Sequence, residues 1–175
     1  FVASAAGAFF ATRTSGVYSA DTNLEVTINA ERQLKVSPGI AWIRTDGYWG
    51  KVVVNTSDIL LALPIADGAL DRICRIVARW DKTANALTII LRQGALSSTP
   101  VAPERNVSDE LYELVLADYL VEHGEIEASA ARLTDQRLNE DLCGLMRDGV
   151  TGIPTAMLTA QAQSLIDDLR DAFEA

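Results

Sequence analysis

The residues of this 175-residue chain whose types could do chemistry are few: His123, Cys74, Cys143 and the acidic pairs Asp109/Glu110, Glu140/Asp141 and Asp167/Asp168. A single histidine leaves no multi-histidine metal site, and any Ser-His-Asp or Cys-His arrangement would have to use His123. It lies between Glu122 and Gly124, in an expected surface turn where nothing nearby in sequence orients or buries it as a general base requires. Neither cysteine belongs to a CxxC or other metal-ligand spacing, and two such distant cysteines imply no disulfide framework. They are expected to be reduced structural thiols in a protein made in a cytoplasm. Neighbouring acidic residues face apart on a strand or helix, so the pairs do not set up the two opposed carboxylates of a glycosidase. The glycines show neither GxGxxG nor GxxxxGK[ST] spacing, so no phosphate cradle is expected. These observations point away from an enzyme and imply no cofactor and no metal.

Two other groups could recognise something. Trp42, Tyr48 and Trp49 straddle an expected hairpin, and exposed rings of this kind stack on sugars. Buried, the same rings would act as cross-strand pairs that stabilise the sheet. Charged residues also stand inside or beside apolar strands. Asp71 with Arg72, Arg79 with Asp81, and Asp135 with Arg137 are expected to form ion pairs that fix strand ends, since an Arg–carboxylate pair can be bidentate. The alternative for these charges is a polar interface with a neighbouring subunit.

The elements that must position these groups follow from period and punctuation. The net charge of −9 disfavours nucleic acid and anionic membrane surfaces, which need a basic field. No apolar run approaches the roughly 20 residues of a membrane-spanning helix, and no basic region precedes an apolar core as in a signal peptide. The chain therefore reads as soluble and, starting at Phe1 without an initiator methionine, as trimmed. Its length suits one core.

Phe1 to Thr12, rich in alanine, reads as a short helix. Leu24, Val26, Ile28 and Ala30 alternate with polar residues as in a half-buried strand. Ile40 to Arg44 and Tyr48 to Val54 read as strands joined across Asp46-Gly47, a tight-turn pair. Asp58 to Leu63, Arg72 to Trp80 and Ala86 to Arg92 read as further strands. Leu111 to Glu122 fits a helical stripe through Leu111, Leu114, Val115 and Asp118 as well as a strand, and its length and Tyr/Val/Leu content favour the strand. Pro100 and Pro103 make residues 95–106 an extended connection. Leu133 to Leu145 is ambiguous, with Thr134-Asp135 able to cap a short helical turn. The expected fold is mainly β, an antiparallel sandwich or barrel-like body over 1–150 with a short N-terminal helix, followed by a C-terminal amphipathic helix over 151–175.

That last helix is the clearest helical pattern in the chain. Pro154 suits a helix start, and Leu158, Ala162, Leu165, Leu169 and Ala172 repeat at coiled-coil spacing over about two heptads. A helix of some 20 residues is marginal alone in water and needs a partner for its stripe. The partner is either sister copies or its own domain.

A wider pattern then emerges. Gly39 with Ala41-Trp42-Ile43, Gly47-Tyr48-Trp49, Asp67-Gly68, Leu70-Asp71-Arg72-Ile73 with Val77, Arg79 and Asp81, Gly94 with Pro100 to Pro103, Tyr112-Glu113-Leu114 with Ala117, and Asp135-Gln136-Arg137-Leu138 leading to Cys143-Gly144 follow one another in order. Over about Gly16 to Gly144 the chain resembles the N-terminal region of baseplate upper proteins and related tail structural proteins from phages of Gram-positive bacteria. The resemblance implies a virion adaptor at the tail tip, made in the host cytoplasm. Its β-rich head would dock on other tail or baseplate proteins. The following helix would bundle with copies, often as a homotrimer, to carry host-binding parts. Glu122 to Ser129 is more charged than that pattern leads one to expect. The alternative function is a carbohydrate-binding module that takes a host cell-wall glycan on the aromatic hairpin.

Overall fold

The computed structural model describes residues 13–30, 32–44, 50–147, 162–166 and 170. Within these the chain is built from ten strands in three antiparallel sheets. The longest strands are β7 (Arg72–Asp81) and β9 (Leu111–Val121), whose valine, isoleucine, leucine and aromatic content suits a pleated, buried surface. They pair antiparallel from Arg72↔Val121 to Asp81↔Leu111. β8 (Ala86–Gln93) adds to the far side of β7, and β10 (Leu133–Asp135) to the far side of β9, giving the order β10-β9-β7-β8. The other sheets are β1-β4-β5, from Gly16–Val17, Gly39–Arg44 and Gly50–Asn55, and β2-β3-β6, from Val26–Ala30, Gln33–Val36 and Ile59–Ala62.

All three sheets contribute to one core. Cys74, Ile76, Ala78 and Trp80 of β7 and Leu114, Leu116, Ala117, Tyr119 and Val121 of β9 meet Leu34 and Val36 of β3 and Ala41 and Ile43 of β4. A β-bulge in the β7–β9 pair governs which residues take part. Ile76 lies opposite Ala117 while Val77 lies opposite Val115, so Leu116 is the extra residue. A one-residue offset reverses the side-chain faces beyond it. The bulge thus sends Ala117, Tyr119 and Val121 inward and Asp118 outward.

Most expected strands occur close to their expected limits, and the extended connection before β9 lacks regular structure apart from its bridge at Ser97. Two expectations need correction. Gln33–Val36 is the central strand of its sheet, between β2 and β6, although its four residues are too few to signal a strand by alternation. Leu133 to Leu145 opens as strand β10 and continues in turns rather than as a helical turn. The edge of β9 captures Leu133–Asp135, and the Asp135 side chain accepts from the Arg137 backbone N–H. The expected N-terminal helix, the Thr45-Asp46-Gly47 turn and the first two residues of the strand expected from Tyr48 lie outside the described residues. Residues 162–166 are helical, as is 170.

One strained residue shows how tightly the body is pinned. Leu24 has φ +54, a conformation that costs a leucine roughly 1 kcal/mol or more. Its side chain is fully buried. Asn23 Oδ1 accepts from the Ile40 N–H, and Asn23 Nδ2 donates to the Ile40 and Ser19 carbonyls. Residue 39 must be glycine here, because a Cβ would stand 2.5 Å from the Leu24 nitrogen.

Candidate functional site

The face of β7, β8 and β9 that points away from the core carries charge. Arg75 and Arg79 lie four residues apart on β7, hence on one face. Arg75 Nε and Nη2 grip the two oxygens of Asp118 at 2.7 and 2.9 Å, while Arg75 Nη1 donates to the Pro103 carbonyl. Gln136 Nε2 also donates to Asp118. Arg79 Nη2 donates to Glu113 Oε1 and Arg92 Nη1 to Glu113 Oε2, both at 2.6 Å. The Asn106 N–H adds a further bond to Glu113, and Arg92 reaches the Glu104 carbonyl. The connection around Pro103 to Asn106 thereby straps this face and leaves the Glu113 side chain fully buried. A second enclosed carboxylate, Glu125, accepts from the Tyr119 hydroxyl and the Glu122 N–H and is paired with Arg132. Burial, with the hydrogen bond to Glu125 adding to it, pushes the Tyr119 hydroxyl above its ordinary value. The charge noted in 122–129 therefore serves partly to anchor that loop internally.

Arg137 is nearly buried and forms the expected pair with Asp135. It also ties the end of the body to its beginning, because Nη1 donates to the Asp21 and Asn23 carbonyls. The other expected pairings are corrected. Arg79 is paired with Glu113, while Asp81 accepts from the Ala84 N–H in the following turn. Arg72 donates to Gln93 across the β7–β8 pair, and Asp71 turns to His123. These corrections share a cause. The partners of Arg72, Arg79 and Asp71 lie 21, 34 and 52 residues away in sequence, and tertiary folding brings them together, while Asp81 turns to its own loop.

His123 does have an orienting carboxylate, contrary to expectation. Asp71 Oδ1 accepts from the His123 backbone N–H at 2.7 Å and stands 2.8 Å from the ring Nδ1. The ring contact first, and the backbone N–H second, hold the Asp71 carboxyl below its ordinary value. The imidazole is exposed, and among the described residues Nε2 has no hydrogen-bond partner. The pair pins the turn after β9 to the start of β7.

Trp42 is 3% exposed, so its ring offers no open face for a sugar. Gly50 makes room for that ring, since a Cβ at residue 50 would fall 2.2 Å from it. Tyr48 and Trp49 lie outside the described residues. Of the helical stripe, Ala162 and Leu165 are described and exposed, Leu165 at 61% with its neighbour Ile166 at 51%. Leu158, Leu169 and Ala172 lie outside the described residues. Cys74 and Cys143 are free and buried, and burial pushes their thiols up to about 11 and about 12, which leaves them protonated and unreactive near neutrality. Among the described residues, no three or more His, Cys, Asp or Glu side chains are grouped to hold a metal ion, and no helix is long and apolar enough to cross a membrane. No family model, curated protein or solved structure matches the chain.

Sequence reasoning singled out Arg79 among these charges and missed Arg75, Arg92, Glu113 and Asp118 in a specific way. Arg75, Arg79 and Arg92 interrupt apolar strands at positions that alternation would give to one face, and Glu113 and Asp118 do the same in β9. That signal was legible as charge within strands. Which charge met which was not.

Proposed function

We propose that this chain is a non-enzymatic structural adaptor of a phage tail baseplate. Its β-rich head docks on other tail or baseplate proteins, and its C-terminal helix joins it to copies of itself, as a homotrimer, to carry host-binding parts. The observation that carries the assembly role is the exposure of Leu165 and Ile166 on a helix whose sequence repeats at heptad spacing. Large apolar side chains in that pattern are stabilised when a second helix covers them. The virion setting rests on the ordered sequence pattern from Gly16 to Gly144. In this fold several of its residues hold the architecture. Gly39 allows the approach to Leu24, Asp71 fixes the His123 turn, Asp135 and Arg137 lock together, and the Gly144 carbonyl accepts from Val17. A pattern made of such residues describes a scaffold rather than a reaction centre.

Light scattering at micromolar concentration tests the assembly role. The unmodified chain is expected at the mass of three copies, and Leu165→Asp with Ile166→Asp at the mass of one. A monomeric unmodified chain would overturn the proposal. Imaging of particles carrying a tagged copy tests the placement, with the tag expected at the tail tip.

A further inference from the structure

A strand at the rim of a sheet shows unpaired N–H and C=O groups to its surroundings, and folded chains shield such rims by shortness, Lys, Pro or bulges. Most rims of this fold are shielded in that way. β10 has three residues, β6 has four, and β1 has two with Leu145 bridged alongside. β2 carries a bulge between Ile28 and Ala30, and β5 carries Lys51. Among the described residues β8 is the exception. Its eight residues, Ala86–Gln93, pair with β7 alone and include no Pro, no Lys and no register shift. β6 approaches β8, yet no ladder joins the two.

Register decides which backbone groups of β8 are left over. In an antiparallel pair, residues alternate between those that bond the neighbouring strand and those whose N–H and C=O point away from it. Gly94 donates its N–H to the Ile73 carbonyl, which sets the phase. Thr88, Ile90 and Arg92 therefore turn their backbone groups to β7, and Leu87, Ile89, Leu91 and Gln93 turn theirs outward. Among the described residues these outward groups have no hydrogen-bond partner. Ile89 and Leu91 pack their side chains against the core, so the rim is anchored while its polar groups face out.

The Gln93 end of this rim is cationic. Arg72 donates Nη1 to Gln93 Oε1, and its Nε is buried without a hydrogen-bond partner. Among the described residues Arg72 forms no ion pair. Asp67 feels its charge but is committed to the Ala69 and Leu70 N–H groups. In a chain of net charge −9, β8 itself carries no carboxylate. An extended backbone satisfies the alternating donors and acceptors of such a rim, and a carboxylate satisfies the guanidinium at its end.

We infer that the free edge of β8 takes an extended acidic segment of another protein as a fifth strand beside β10-β9-β7-β8, with a carboxylate of that segment on Arg72. That the other protein belongs to a tail or baseplate rests on the adaptor role proposed above, whereas the edge itself does not.

Amide exchange and peptide titration of the isotope-labelled full chain, followed by NMR, test it. The probe is a capped peptide of about seven residues that alternates valine and threonine and has glutamate at both ends, and the reference is the same peptide with lysine at both ends. Without peptide, the Leu87, Ile89 and Leu91 amides are expected to exchange at least ~tenfold faster than those of Thr88, Ile90 and Arg92, which donate to β7. The glutamate peptide is expected to slow the outward amides at least ~fivefold and to bind at least ~threefold more tightly than the lysine peptide. Arg72→Ala is expected to remove that preference while the inward amides stay protected. Outward amides already protected in the free chain overturn the inference, because the same chain then covers the edge. Resonances of β8 that do not move at millimolar peptide overturn it as well, and equal affinity for the two peptides overturns the acidic partner it names. Peptide binding at β8 by a protein whose tag is absent from the tail tip overturns the adaptor role and leaves the edge standing.

Discussion

The sheets β10-β9-β7-β8 and β1-β4-β5 each give one face to a shared core and treat the other face in opposite ways. On the first, the outward face carries Arg75, Arg79, Arg92, Glu113 and Asp118, and the chain closes over it. Carbonyls of Pro103 and Glu104 and the N–H of Asn106 complete the hydrogen bonds that the buried charges need. On the second, the outward face carries Tyr18, Ile40, Val52 and Val54, which are exposed, around Trp42, which is buried. Polar groups away from water must be satisfied by fixed partners, and here the partners come from the same chain. Apolar groups ask only for cover, which any complementary surface can supply. The difference separates a charged face satisfied by fixed partners of its own chain from an apolar face that the chain covers only in part.

Removing the centre of the charged face should have the largest effect. Glu113→Ala leaves Arg79 and Arg92 without their shared carboxylate, and a loss of about 3–5 kcal/mol in unfolding free energy is expected from denaturant titration. Arg137→Ala, which unties Asp135 from the Asp21 and Asn23 carbonyls, is expected to cost about 2–3 kcal/mol in the same measurement. Gly50→Ala probes the boundary between the two treatments, because the new methyl meets the Trp42 ring and the Ile43 carbonyl. Overpacking there should cost about 1–3 kcal/mol and lower the thermal midpoint.

Acid sharpens the picture at the turn after β9. The folded Asp71 carboxyl lies below its ordinary value of 3.8. Its contribution is therefore present above that value and lost as pH falls through the lowered folded one. His123→Ala should be slightly less stable than the parent at neutral pH, and the two stability curves should converge as acid protonates Asp71 in both states. At Val54, which is exposed on the apolar face, Val54→Ser should change stability least, by about 0.5 kcal/mol or less. A large loss there would mean that the face is already covered within the chain.

Legibility followed the range of the interaction. The hairpin strands β7 and β8 could be read from alternating residues, and so could the Asp135–Arg137 pair, whose members are two positions apart. Arg79 was assigned to Asp81 for the same reason of nearness, yet it meets Glu113 on a strand 34 positions away. Trp42 shows the limit from another side. Its hairpin position was readable, while its burial depends on what lies over it and on Gly50 leaving room for the ring.

By itself the sequence determined the β character of the body, the acidic balance and the heptad stripe near the end, because each depends on residue type and a short local repeat. The tertiary structure alone decided which charges are enclosed and which apolar side chains stay open. The bulge at Leu116 illustrates why. A single extra residue in β9 sets Asp118 opposite Arg75 while Glu113 remains opposite Arg79. That offset exists only once two strands far apart in sequence have paired, so no local repeat could have announced it.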